Sequence, residues 1–486
     1  MASVVHRPVG AQQHLIGGDL VDGDGDALDV VDPATEETIA TINQVSPQQL
    51  DAAVDAARFA SDRSDWARST PSERSALLAA IADAVAANRE ELVSTLVAES
   101  GCPITACRLH QVGGTIGYLR WYSDAALRPR ESALGPRSGA TASAAVVRYL
   151  PVGVVGAITA SNYPLLLAVN KLGAALAAGC SVVLMPNPET PLATMAFGRI
   201  MREAGLPPGA VNVIAGDAAT AKRLTEHRLV DKVSFTGSTA VGSAIARQAA
   251  SVSKGVVLEL GGKAPCILLP DADLKSITGS LLLRLFRHSG QGCQVPSRLL
   301  VQRDRLDEFV ALARKATSTV AVGDPWDEKT EVGPIISSAQ RDRVDAIVRE
   351  AVTAGGEIIC EGSLPGYDRG YWVAPALVGS VANAERISRE EIFGPVGVVL
   401  PYGDVDEAVE IANDTDYGLA AHVFGPDTSR CLEVASRIRA GSVFCNGVGL
   451  RPDAPSGGMK DSGIGREQGE EGIRELMVTQ TLAWKL

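Results

Sequence analysis

The sequence predicts an α/β protein built on a doubly wound parallel sheet, with a second α/β domain and a small β arm. Three observations carry this. From about residue 146, short aliphatic runs alternate with helical segments: VGVVGAI, SVVLM, VNVI and KVSFTG lie between PLLLAVNKLGAALAAG, LATMAFGRIMREAG, ATAKRLTEH and TAVGSAIARQAA. Runs of this kind read as parallel strands covered by helices on both faces. A second such series follows from about Leu258, and the chain of 486 residues is long enough for two or three domains.

The first hundred residues read as short strands followed by helices. In Thr70-Pro71-Ser72-Glu73 a capping hydroxyl precedes Pro at the first helical position and Glu three residues on. This predicts a helix start, and Gly101 predicts the end of the next helix. The alternating region then forms the Rossmann-like domain, expected over residues 1–127 and 148–256. In such sheets ligands bind at the carboxyl ends of the strands. The second α/β domain is expected over 257–447, with CILL, RLLVQ, GVVLPY and GSVFCN as strands and helices such as 305–316 and 404–413. Residues 128–145 are rich in Gly, Ser, Pro and Arg, and read as a loop or as an arm pairing with the C-terminal TQTLAWKL in an oligomer. The arm is assigned to 128–147 and 470–486.

Composition narrows the function classes. With 46% hydrophobic and 21% charged residues the chain is globular, and 49 glycines against 4% aromatic residues suit a compact α/β enzyme. A net charge of −12 without any dense Lys/Arg run argues against nucleic acid and for a small-molecule substrate. The first thirteen residues lack an apolar run, and the most apolar stretch, 152–184, is broken by Asn162, Pro164, Asn170 and Lys171. The expectation is a cytoplasmic protein with no membrane contact. The eight cysteines, at 102, 107, 180, 266, 293, 360, 431 and 445, show neither CxxC nor metal-ligand spacing, so no metal site is expected and one thiol is free to act as a nucleophile.

Four segments could carry chemistry. In residues 289–294 (SGQGCQ) Cys293 sits among glycines, which give a nucleophile access and let backbone approach a substrate. In 258–263 (LELGGK) Glu259 ends an aliphatic strand before Gly-Gly, where burial would raise its pKa toward that of a useful base. In 159–164 (TASNYP) Asn162 ends the first strand of the doubly wound region and can donate to a developing oxyanion. In 235–242 (FTGSTAVG) a strand, Gly237-Ser238-Thr239 and a helix start place backbone N–H groups where a pyrophosphate could sit, although the fingerprint G-x-G-x-x-G is absent. Taken singly, each has a plainer reading: a loop cysteine, a strand-end ion pair, an Asn closing a turn, a capped helix.

In this order the four segments resemble the aldehyde dehydrogenase superfamily. The resemblance continues through 390–396 (EEIFGPV), 411–421 (IANDTDYGLAA) and 455–467 (PSGGMKDSGIGRE), nearly the whole chain. It implies NAD(P)-dependent oxidation of an aldehyde. Cys293 would attack the carbonyl, Asn162 with the Cys293 N–H would hold the oxyanion, and Glu259 would activate the water that hydrolyses the thioester. It further implies cofactor contacts from Thr159, Ala160, Ser161, Met185, Gly237, Ser238, Leu260, Glu391 and Phe393, a place for Lys171 in the active-site region, and a homodimer or homotetramer.

The chain also departs from the family pattern. Met185 and Pro188 stand where lysine and glutamate commonly meet the adenosine ribose, so NAD is expected with NADP possible, Lys222 or Arg223 being able to compensate. Ser161, Asn170, Leu450 and Ser456 stand where aromatic residues often line the aldehyde tunnel, which implies a wider or more polar pocket. Two alternatives stay open: a CoA-acylating enzyme, against which Glu259 argues, and a non-catalytic binding relative, against which the joint presence of Cys293, Glu259, Asn162 and Glu391 argues.

Overall fold

The computed structural model describes residues 9–10, 12–138, 141–364 and 366–486. Residues 1–8 and 11 of the expected first domain, 139–140 of the expected arm and 365 of the expected second domain lie outside the described residues.

The aliphatic runs form the strands expected of them because they are buried on both faces. Every residue of Val154–Ile158 and of Ser181–Met185 is buried, as central parallel strands require. The first sheet has eight strands in the order Asp19–Val21, His14–Ile16, Val211–Val213, Ser181–Met185, Val154–Ile158, Lys232–Thr236, Gly255–Glu259, Gly463–Ile464. From Val154–Ile158 the chain winds outward through Ser181–Met185 to Val211–Val213. It then returns to pair Lys232–Thr236 on the other side of Val154–Ile158 and winds on to Gly255–Glu259. The order reverses between Val154–Ile158 and Lys232–Thr236, so the crevice at their carboxyl ends lies between residues 159–162 and 237–238.

The second sheet has seven strands in the order Glu357–Glu361, Ala376–Gly379, Val396–Tyr402, Pro296–Gln302, Ala264–Leu268, Ala420–Phe424, Ser442–Cys445. All its pairings are parallel except the one at the Glu357–Glu361 edge. Each sheet has its own buried aliphatic clusters.

Two boundaries differ from the sequence expectation. The first domain was expected to end at residue 256, but Gly255–Glu259 pairs along its full length with Lys232–Thr236 and belongs to the first sheet. The crossing therefore falls between Glu259 and Ala264, and Glu259 stands on the outer parallel strand of the first sheet. The arm likewise begins and ends elsewhere. Glu131–Arg137, Ser143–Pro151 and Met477–Lys485 form a three-stranded antiparallel sheet within one chain, whereas Gly469–Glu475 is a helix with Gly469, Gly472 and Ile473 buried in the body. Nine consecutive residue pairs join the C-terminal strand to Ser143–Pro151, so that pairing needs no second subunit.

Local signals act as their chemistry dictates. The Thr70 hydroxyl accepts from the Glu73 N–H at 3.2 Å while the Glu73 carboxylate accepts from the Thr70 N–H at 2.7 Å. Gly101 closes helix Arg89–Ser100 at φ +64°. Among the described residues no helix is long and apolar enough to cross a membrane.

Candidate active site

The loop before Cys293 is built from strained backbone. Helix Leu274–Phe286 ends, and His288, Ser289 and Gly290 follow with φ of +52°, +54° and +67°. Two non-glycine residues in the left-handed region cost about 1–3 kcal/mol each and persist only where their surroundings hold them. Here three hydrogen bonds hold the segment. The His288 Nε2–H donates to the Asn162 carbonyl at 2.7 Å, the Ser289 hydroxyl donates to the Gly333 carbonyl at 2.6 Å, and Gln291 Oε1 accepts from the Ile336 N–H at 2.9 Å. A Cβ on Gly290 would lie 2.1 Å from the Gly394 carbonyl oxygen, so only glycine fits. The loop then delivers Cys293 half-buried at the start of the central strand Pro296–Gln302. Of the eight thiols only Cys293 and Cys445 are not fully buried.

Glu259 is brought against this loop by Gly261 and Gly262. A Cβ on Gly262 would fall 2.3 Å from the Cys293 carbonyl oxygen, so the backbone after Glu259 packs directly on the backbone of Cys293. Glu259 is 7% exposed and its Oε1 has no hydrogen-bond partner among the described residues. Burial first, and the Glu467 carboxylate second, push its pKa up to about 8, with Lys171 and Arg466 pulling the other way. Burial also pushes the Cys293 thiol up, and the Glu259 and Glu391 carboxylates add to this. Cys293 therefore rests as a thiol, and Glu259, its Oε1 unpartnered among the described residues, stands on the segment packed against the Cys293 backbone.

Asn162 is 6% exposed. One amide hydrogen of its Nδ2 is used in a 2.7 Å bond to the Gln291 carbonyl, two residues before Cys293, which aims the amide along the nucleophile loop and leaves the second hydrogen free. Sequence reasoning missed the pair behind these groups. Lys171 and Glu467 form an ion pair with both side chains buried, and the Ser234 hydroxyl bridges it, accepting from Lys171 Nζ and donating to Glu467 Oε1 at 3.1 Å each. Glu467 closes the PSGGMKDSGIGRE segment, whose Gly457 is so near Glu259 that a Cβ there would lie 3.0 Å from Oε1.

The expected cofactor residues gather at the switch point of the first sheet and at one loop of the second. The Thr159 N–H bonds the Met185 carbonyl at 3.1 Å. The hydroxyls of Thr159, just past strand Val154–Ile158, and of Thr236, at the end of Lys232–Thr236, are buried without hydrogen-bond partners among the described residues. Gly237 and Ser238 precede helix Thr239–Ala250, which Ser238 caps, and the Leu260 side chain packs against Gly242 of that helix. Met185 is 2% exposed within an apolar cluster and offers no charge. Arg223 is engaged by Asp51 through two nitrogens, at 3.1 and 2.6 Å, and Lys222 stands 3.9 Å from Glu226. Opposite, Glu391 Oε1 accepts from the Gly262 N–H at 2.9 Å, and burial pushes its carboxyl up to about 7. Phe393 sits at φ +55°, its turn fixed by helix Ser338–Thr353: Arg343 donates to the carbonyls of Glu391 and Ile392, and Gln340 to those of Ile392 and Phe393. On the substrate side Ser161, Asn170 and Ser456 are buried, while Leu450 is exposed and lies apart from them in burial.

A buried carboxyl, a half-buried thiol and a side-chain amide thus stand around one loop beside the crevice of a doubly wound sheet. The aldehyde dehydrogenase family model matches residues 20–482, and the chain belongs to that family. The chain is 39% identical over 444 residues to geranial dehydrogenase of Castellaniella defragrans, covering 91% of this chain and 92% of the relative. Aldehyde dehydrogenase C of Pseudomonas syringae, solved as a Cys-to-Ala mutant with NAD+ and octanal, superposes with a TM-score of 0.93 at 38% identity and 98% coverage of both chains. An aldehyde dehydrogenase of Mycobacterium tuberculosis, solved with NAD+, gives 0.94 at 36% identity, again covering 98% of each chain. The protein is thus an aldehyde dehydrogenase.

Proposed function

We propose that this enzyme oxidises its aldehyde with NAD+ to the free carboxylic acid, through a thioester on Cys293 that Glu259 helps to hydrolyse. The observation that carries the reading is the contact of the Glu259–Gly262 strand end with the Cys293 backbone, with the Asn162 amide bonded two residues upstream.

The residues fit a dinucleotide. The partnerless Thr159 and Thr236 hydroxyls flank the crevice, and the start of helix Thr239–Ala250 turns its free N–H groups toward it. Glu391, held by the Gly262 N–H, would orient the ribose, and the fixed turn at Phe393 would support the nicotinamide. With Met185 uncharged and Arg223 neutralised by Asp51, nothing in this set recognises a 2′-phosphate, which favours NAD over NADP. When bound, the nicotinamide accepts the hydride.

Glu259 takes the Cys293 proton, and the thiolate adds to the aldehyde carbon. The free Asn162 amide hydrogen and the Cys293 N–H receive the oxyanion. Hydride loss leaves the acyl group on sulfur. Glu259, once its first proton has passed to solvent, removes a proton from water, the hydroxide adds to the thioester, and the acid leaves as Glu259 returns that proton to the Cys293 sulfur. A base with a pKa near 8 lies close to neutral operating pH, where a general base works best. The arm sheet is proposed as the oligomer contact: Leu134, Val478, Leu482 and Trp484 are all exposed on it.

The test is a single turnover of Glu259→Gln with NAD+ and aldehyde, read by intact mass. Acylation of Cys293 is expected to slow, because the thiol has lost its base, and the acyl-enzyme that does form is expected to persist unhydrolysed; a variant that turns over as fast as wild type without the adduct would overturn the role of Glu259. Acyl-CoA as the main product in the presence of CoA would favour the acylating reading, and absence of NAD and NADP binding at millimolar concentration the non-catalytic one.

A further inference from the structure

Cys102 and Cys107 lie on the segment behind the nucleophile loop, and both are 0% exposed. Gly101 ends helix Arg89–Ser100 in the left-handed region, and residues Cys107–Val112 wind as a π-helical turn, in which the Gly113 N–H bonds the Arg108 carbonyl. Turns of this kind are rare and concentrate at functional sites. Cys107 Sγ lies 3.5 Å from the Cys102 carbonyl oxygen, and the two thiols share a hydrogen bond.

The Cys102 sulfur also stands beside the His288 ring and the Gln111 amide. Burial raises both thiols, but their surroundings divide them. Cys107, His288 and Gln111 outweigh burial and hold Cys102 well below the usual thiol range, whereas burial and Cys102 hold Cys107 well above it. One sulfur is set as an attacking thiolate while its neighbour keeps a proton. Gln111 Nε2, Gln111 Oε1 and His288 Nδ1 are buried and make no hydrogen bond among the described residues. Orphaned polar atoms grouped in this way call for a small polar molecule of about water's size, and hydrogen peroxide is of that class. The segment is also tied to the catalytic loop at two points. His288 donates to the Asn162 carbonyl, and a Cβ on Gly333, whose carbonyl takes the Ser289 hydroxyl, would lie 2.1 Å from the Gly101 carbonyl oxygen.

We infer that Cys102 and Cys107 form a peroxide-sensing dithiol whose oxidation to a disulfide switches the enzyme off. The Cys102 thiolate attacks one peroxide oxygen and the O–O bond breaks. A sulfenic acid forms, and the hydroxide released takes up the proton that Cys102 had given to solvent. The Cys107 sulfur then displaces the sulfenic hydroxyl, which leaves as water with the Cys107 proton, so two thiols are oxidised as one peroxide is reduced to two waters. The new bond turns the Cys102 sulfur toward Cys107 and away from His288, and the loop that His288 anchors to Asn162 loosens. Cys293, which burial holds as a thiol, is the slower target. The loss of activity rests on Cys293 being the nucleophile; the disulfide does not.

The test exposes freshly reduced wild type to stoichiometric hydrogen peroxide, removes the excess with catalase, and follows octanal oxidation with NAD+ beside tryptic mapping after alkylation. Residues 90–108 form one tryptic peptide carrying both thiols. Activity is expected to fall about tenfold or more in step with loss of two hydrogens from that peptide, with Cys293 still alkylated, and to return with dithiothreitol. Cys102→Ser, which lacks the attacking sulfur, is expected to keep its own untreated rate. Alkylation of both thiols in peptide 90–108 after treatment, or activity loss that tracks oxidation of Cys293 instead, would overturn the inference, and neither result depends on a variant folding. An enzyme that turns over no aldehyde before treatment sinks the dehydrogenase reading, and the state of peptide 90–108 still decides whether the disulfide forms.

Discussion

Glu467→Gln separates the electrostatic role of the buried pair from a merely structural one. The substitution keeps the shape and one acceptor oxygen for Lys171 and Ser234 but removes the charge. It leaves Lys171, 0% exposed at its side chain, as an uncompensated buried cation. Breaking such a pair costs about 3–5 kcal/mol, and the retained oxygen places this case toward the lower end. A fall in thermal midpoint of several degrees is expected by differential scanning fluorimetry. The pH response has a definite sign. Glu467 raises the Glu259 pKa and Lys171 lowers it, so the variant loses the raising charge and unmasks the lowering one. Both changes move Glu259 downward from about 8, by about one unit or more for charges this close. The assay is hydrolysis of an activated aryl ester, which acylates Cys293 without hydride transfer, followed from about pH 6 to pH 9.5. Wild type should lose rate as pH falls below about 8, and the variant should hold its rate to lower pH while its maximum declines, because a weaker base is a less effective one. An unchanged or upward-shifted acid limb would refute the coupling of Glu467 to Glu259, whatever happened to stability.

Gly290→Ala should destabilise the enzyme by about 3 kcal/mol and lower kcat at least about tenfold, since the added Cβ meets the Gly394 backbone at φ +67°; unaltered melting and kinetics would show that the loop can shift. Glu99 accepts from the Leu192 and Ala193 N–H groups at 2.7 and 3.1 Å, and burial raises its pKa to about 8. In the unfolded chain it ionises near about 4.3, so its contribution to stability falls as pH rises between those values. Glu99→Gln should therefore show a smaller drop in melting temperature between pH 5 and pH 8.5 than wild type; an equal drop would contradict the assignment. The ratio of kcat/KM for NAD+ over NADP+ should exceed about ten, and equal values would mean that some cation other than Arg223 reaches the 2′-phosphate.

The fold was legible where the relevant physics is local. Val154–Ile158 and Ser181–Met185 are aliphatic because both faces are covered, and Thr70-Pro71-Ser72-Glu73 states its own hydrogen bonds. Failures came where a partner lies far along the chain. Gly255–Glu259 reads the same whichever sheet it joins, and only pairing with Lys232–Thr236 assigns it to the first. Nothing near Arg223 announces Asp51, and nothing near Lys171 announces Glu467. The nucleophile loop shows why a site can be recognised by residue type yet not built from sequence. The backbone φ values of His288 and Ser289 are ones those residues rarely adopt alone, and no neighbour in sequence favours them. They exist because the Asn162 carbonyl, the Gly333 carbonyl and the Gln291–Ile336 bond hold the segment from two distant parts of the chain. One of those anchors is Asn162, which His288 grips by its backbone carbonyl while its own amide grips Gln291. Asn162 and the loop that carries Cys293 are thus tied by two reciprocal bonds across the domain crossing, so a change that loosens either bond displaces both together.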